Sequence, residues 1–156
     1  MHSRIFQVSS KPIEDFTNEF RYEDNFVPSI ADYVVKQTQT EDIKADILWL
    51  GHACKGIKVD AENRTLQVIS KEEYFEKQYE KFKELAEKMS NITMEDFTGT
   101  ASQWDFYDLK SAYEDKHSFY IDDNDEYMGI ATLDCWLRYA EIGQVYYIGS
   151  VFDYHF

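Results

Sequence analysis

Proline is nearly missing from this chain of 156 residues: two occur, alongside six glycines. That scarcity excludes a low-complexity linker or a flexible Pro/Gly tract, and no internal repeat is visible, so the expected organisation is one domain over residues 1–156. Cysteine is scarce as well. Cys54 and Cys135 are the two present, too few for a disulfide scaffold. No stretch approaches the ~18 apolar residues of a membrane span, and Met1 to Val8 lacks the apolar run of a signal peptide. The expectation is therefore a cytoplasmic protein with reduced thiols, in which the sequons at Asn63 and Asn91 carry no weight. Phosphate loops are also missing: neither Gly-x-Gly-x-x-Gly nor Gly-x-x-x-x-Gly-Lys-Ser/Thr occurs, and Gly51 to Gly56 lacks the Lys-Ser/Thr that would follow.

Positive charge is the next shortage. Sixteen Lys and Arg face thirty Asp and Glu, a net of -14. The excess is uneven. Residues 14–46 carry nine acids against three bases and residues 93–134 eleven against two, whereas residues 71–92 are nearly balanced at six against five. Such a surface repels nucleic acid and anionic membranes and favours basic partners. It also keeps an aromatic-rich chain soluble, and the chain is aromatic-rich, with twelve Tyr, eleven Phe and three Trp.

The most legible stretch runs from Ser70 to Met89. Ser70 and Glu73 have capping-box spacing, and Phe75, Tyr79, Phe82, Ala86 and Met89 recur at steps of four and three, which lines one face of a helix. Charged pairs such as Glu73–Lys77 add only ~0.2–0.5 kcal/mol each, so burial of the aromatic stripe must hold the helix, on the chain's own sheet. The stripe also fits a heptad seam, but aromatics in fewer than three heptads are poor coiled-coil material, and the expected state is a monomer or weak dimer.

Before this helix, residues 57–60 and 65–69 read as a β-hairpin with a four-residue loop, and residues 3–8 as a first strand. Residues 14–28 are irregular, acidic and aromatic, a loop lying on the core, and Ile30, Tyr33 and Val34 suggest a short helix. Residues 40–51 fit two periods. Ile43, Ile47 and Leu50 have helical spacing, while Ile43, Ala45, Ile47 and Trp49 alternate; Thr40 as a cap and Gly51 as a stop favour the helix. After it, Ser102 can cap a second helix to about residue 114. From His117 the period becomes two: Phe119 to Asp122, then Ala131, Leu133, Cys135, Leu137 and Tyr139, then Val145 to Tyr154, with Gly149 suggesting a bulge or a close backbone approach. The expected fold is α+β: an antiparallel sheet, made of the hairpin near 57–69 and a C-terminal meander at 117–154, packed by a long helix at about 71–89 and a shorter one at about 102–114.

Chemistry is harder to read. The tract Asp122-Asp123-Asn124-Asp125-Glu126 has carboxylates in the manner of a Ca²⁺ loop, but the sixth and twelfth places from Asp122 hold Tyr127 and Leu133 rather than Gly and an acid; it reads as a solvated hairpin turn. His52 and Cys54 cannot complete a zinc site, and the other histidines, His2, His117 and His155, have no ligand spacing. No metal, cofactor or catalytic residue is assigned. The expected function is that of a non-catalytic acidic interaction protein, an inhibitor or nucleic-acid mimic occupying a basic surface of another protein through Asp105, Asp108, Glu114, Asp115, Asp122, Asp123, Asp125 and Glu126. The alternative is a small enzyme or small-ligand domain whose site is assembled from residues scattered along the chain.

Overall fold

The computed structural model describes residues 1–100, 102–125 and 128–156. In chain order the elements are β1 (His2–Ser9), α1 (Glu23–Phe26), β2 (Tyr33–Lys36), α2 (Thr40–Ala53), β3 (Ile57–Asp60), β4 (Thr65–Val68), α3 (Lys71–Ser90), α4 (Met94–Thr98), α5 (Gln103–Tyr113), β5 (Tyr120–Asp123), β6 (Ile130–Thr132), α6 (Leu133–Tyr139) and β7 (Val145–His155). This is an α+β fold on one seven-stranded sheet, in the order β3-β4-β7-β1-β5-β6 with β2 also paired to β7. All pairings are antiparallel except β1 with β5, which run side by side in the same direction.

Both faces of the sheet are covered. On one, Phe6, Val8, Ile121, Ile148 and Val151 pack with Ile47 and Leu50 of α2 and with Leu133, Trp136 and Leu137 of α6. On the other, Ile5, Tyr120, Phe152 and Tyr154 pack with Phe20, Phe26 and Ala31, so Phe20 and Phe26 of the 14–28 stretch lie on the core as expected, while Phe16 stays exposed and Glu23–Phe26 is a short helix rather than loop. Burying each of these large side chains contributes ~1.5–3 kcal/mol. An ion cluster ties α2 to the first face: Arg4 reaches Asp46 at 2.8 Å and also pairs with Asp153, all three largely out of solvent.

The ambiguity at 40–51 resolves as a helix. Asp46, Ile47 and Leu50 are buried and Trp49 is exposed, the reverse of what an alternating strand needs. Gly51 does not stop this helix, which runs on to Ala53. Instead it lets β3 lie close: a Cβ there would sit 2.5 Å from Val59 Cγ2.

Three local readings are corrected. Residues 133–139 form a helix, not a strand. The buried set Leu133, Asp134, Trp136, Leu137 and Ala140 has helical spacing, Thr132 caps the first turn by accepting from Cys135 N at 3.2 Å, and Asp134 and Arg138 suit the two ends of the dipole. Of the C-terminal strands β5 and β6 still pair, but β7 is separated from them by β1. Residues 33–36 form an edge strand paired with β7 rather than a helix. Residues 94–98 form a short helix under a Thr93–Asp96 capping box, and Ser102 does not cap α5; its hydroxyl donates to Asp96 O.

The long helix α3 is capped as its sequence implies, Ser70 Oγ accepting from Glu73 N. Only its first two turns meet the sheet's core, through Tyr74 and Phe75. No residue along it is buried. Its farther turns pair with α5 in antiparallel fashion: Lys88 binds Asp105 at 2.7 Å and Phe82 meets Tyr113. The reason is space. The face on which it would lie is filled by α2 and α6, so α3, α4 and α5 form an arm beside the sheet.

Candidate functional site

Because β1 and β5 are parallel, their carboxyl ends emerge together. The chain after each is pinned to the other. Asn124 N donates to Val8 O, Ser9 Oγ donates to Asp125 Oδ1 at 2.6 Å, and Ser10 N donates to Asp125 Oδ2 at 2.9 Å. Asp123 in turn accepts from Asp125 N and Met128 N. Opposite this turn stands the end of α6, where Trp136 meets Tyr146 edge-on at 4.8 Å and Glu141 N donates to Tyr146 Oη.

Between the two lies a pocket of about 330 Å³, lined by Asp123, Asp125, Glu141, Trp136, Tyr139 and Tyr146 over Val8 and Met128. Among the described residues no Lys, Arg or His lines it. Burial pushes the Asp123 carboxyl above its ordinary value, helped by the neighbouring charges of Asp125 and Asp122. Burial acts on Asp125 in the same sense, but hydrogen bonds from Ser9 and Ser10 and the charge of Lys11 overcome it and hold that carboxyl low. Asp125 thus keeps its negative charge at neutral pH. Carboxylates beside aromatic faces are the surroundings that favour an ammonium or guanidinium group.

The structure divides the carboxylates singled out in the sequence. Asp123 and Asp125 meet in this pocket. Asp122 is wholly buried against Arg21 at 2.6 Å and is out of a partner's reach, and Asp123 is 6 % exposed, so the tract is not the solvated turn its sequence suggests. Asp105 is committed to Lys88. Glu114 accepts from Thr132 Oγ1, and Asp115 accepts from His117 N. Asp108 stands exposed on α5. Glu126 lies outside the described residues. Sequence reading missed Glu141, Trp136 and Tyr139, because they converge only once residues 133–139 are helical; the Thr132 cap was the signal that could have found them.

A larger groove of about 600 Å³ between the ends of α2, α3 and α5 holds Cys54, Tyr74 and Asp134. Asp134 is saturated, accepting from Tyr74 Oη, Gln78 Nε2 and Asp115 N. Burial, helped by the charge of Asp134, pushes the Cys54 thiol up to about 12, which makes it a poor nucleophile at neutral pH. The two His–carboxylate pairs, His2–Asp153 and His155–Asp32, line neither the pocket nor the groove. Among the described residues no group of three or more His, Cys, Asp or Glu is placed to hold a metal ion, and no helix is long and apolar enough to cross a membrane. No family model, no curated protein and no solved structure matches this chain.

Proposed function

We propose that this chain is a non-catalytic binding protein that engages a basic surface of another protein and takes one of its arginine or lysine side chains into the pocket between β1, β5 and α6. The observation that supports this reading is the pocket itself: among the described residues three carboxylates line it against three aromatic rings, with no cationic side chain. A guanidinium entering it would exchange water for charge-assisted hydrogen bonds and ring faces, and the overall charge of -14 would speed the encounter. Where the partner's basic surface serves nucleic acid, occupancy would inhibit it by mimicry of phosphate.

The test is titration of the protein with a Gly-Arg-Gly peptide, followed by Trp136 fluorescence, with Gly-Glu-Gly as control. Saturable quenching by the arginyl peptide alone, weakened by salt and lost in the Asp125→Asn/Glu141→Gln variant, is the expected result. Equal response to both peptides, or an unchanged response in the variant, would overturn the reading. The small-ligand alternative draws on the same concavity, and a free diamine such as putrescine binding more tightly than the peptide would favour it.

A further inference from the structure

The arm carries apolar surface that the fold does not use. On α4 and the first turns of α5, Met94, Phe97, Trp104, Phe106 and Tyr107 are 76, 71, 72, 62 and 59 % exposed. Trp104 and Tyr107 touch edge-on at 6.5 Å, so part of this set is one continuous aromatic ridge. Side chains of this size expose roughly 150 Å² each, so the Trp104–Tyr107 pair alone presents roughly 300 Å², the lower end of the scale of a functional patch on a monomer. The helix α5 has spent its α3-facing side already, on the Lys88–Asp105 pair and on Ala112, its one buried residue. The exposed rings are therefore surplus to holding the arm together.

Charge selects the occupant. Residues 93–110 contain four acids, Glu95, Asp96, Asp105 and Asp108, against one base, Lys110. Asp105 is committed to Lys88 and Asp96 to capping α4, while Glu95 on α4 and Asp108 on α5 are exposed. A second copy of the chain would bring like charge to like charge, and an anionic membrane would be repelled. What fits is a surface with apolar residues flanked by cations. We infer that the tip of the arm is a docking surface for a basic amphipathic helix of a partner protein, its apolar side seated on Phe97, Trp104 and Tyr107 and its cations beside Glu95 and Asp108. This inference rests on the reading of the protein as a binder of basic partners. It adds a second contact, because α5 leads into the start of β5 whereas the acidic pocket lies at that strand's far end.

The experiment uses the full chain and a labelled 18-residue peptide with Leu along one face and Lys along the other, read by fluorescence anisotropy. Two control peptides accompany it, one with every Lys replaced by Glu and one with every Leu replaced by Ser. The amphipathic basic peptide should bind, and both controls should bind at least tenfold more weakly. Trp104→Ala/Tyr107→Ala, at exposed positions and with helix content checked by circular dichroism, should weaken binding at least tenfold. With the pocket already disabled by Asp125→Asn/Glu141→Gln, Trp104→Ala/Tyr107→Ala should still weaken the remaining binding at least tenfold. Binding unaffected by the arm variant but lost in the pocket variant overturns the docking surface and leaves the functional reading standing. Failure of the basic peptide to bind any form of the protein overturns both. Concentration-dependent dimerisation that disappears in the arm variant overturns the inference by assigning the face to self-association.

Discussion

Gly149 sits where β1 and β7 fall out of step: Phe6 pairs with Val151 but Val8 with Ile148, so β7 carries one extra residue. That bulge brings the buried Gln7 against the strand, its Oε1 accepting from Ser150 N, and a Cβ at position 149 would stand 2.2 Å from the same oxygen. Gly149→Ala should cost about 1–3 kcal/mol, checked by urea denaturation. Arg4 holds two carboxylates at once, and removing it strands a mostly buried Asp46. The expected loss for Arg4→Ala is about 3 kcal/mol, the lower end for a broken buried pair because the site is partly wet. The buried carboxylates also set a pH dependence. Desolvation raises the folded-state pKa of Asp46, Asp122 and Asp123 despite the opposing hydrogen bonds from Arg4, Arg21 and the Asp125 and Met128 backbone. The native form therefore holds protons that the unfolded chain releases. The stability this contributes is full below the ordinary carboxylate value of about 4 and is lost as pH rises through the raised values. The urea midpoint should therefore fall as pH rises from about 4 toward neutrality; a midpoint that rises throughout would contradict the assignment of buried acids.

At the scale of elements, α6 and α3 show how far a periodic pattern reaches. The run Ala131, Leu133, Cys135, Leu137, Tyr139 alternates as a strand would, yet Leu133, Trp136, Leu137 and Ala140 serve a helix equally well, and Thr132 decides between them by capping it. Alternation over so short a run is weak where helical and strand spacings share residues. Thr132→Ala should therefore cost about 1 kcal/mol, and somewhat more through the lost bond to Glu114, measurable by thermal unfolding. For α3 the pattern named the helix and its cap, but the expectation that its aromatic stripe lies on the sheet holds only for the first turns, at Tyr74 and Phe75. Phe82, Leu85, Ala86 and Met89 are half-buried, and their neighbour is α5 rather than the sheet, because no sheet face was left vacant.

As a whole molecule, the chain joins a sheet packed on both faces to an arm with almost no buried side chain: none in α3 or α4 and Ala112 in α5. Local stability follows burial, so amides of residues 80–100 and 103–110 should exchange with deuterium by local opening, well before those of β1 and β7. Equal protection across arm and sheet would contradict this division. The two candidate contact surfaces divide along the same line. The pocket is built on the rigid sheet, where its carboxylates are held by backbone and serine donors. The aromatic tip lies on the arm, where few side chains are buried and a proposed partner helix would meet a surface expected to open locally.

Composition and periodicity alone settled the α+β class, the hairpin at 57–69, the capped long helix, the final strand and the acidity, because each depends on neighbours within one turn or one pleat. What tertiary structure decided is the surroundings of each acid. Asp122 and Asp123 look alike in sequence, yet one is sealed against Arg21 and the other lines a pocket. Adjacent residues on a strand face opposite sides of the sheet, and what covers each side comes from distant parts of the chain: Arg21 on one, α6 on the other.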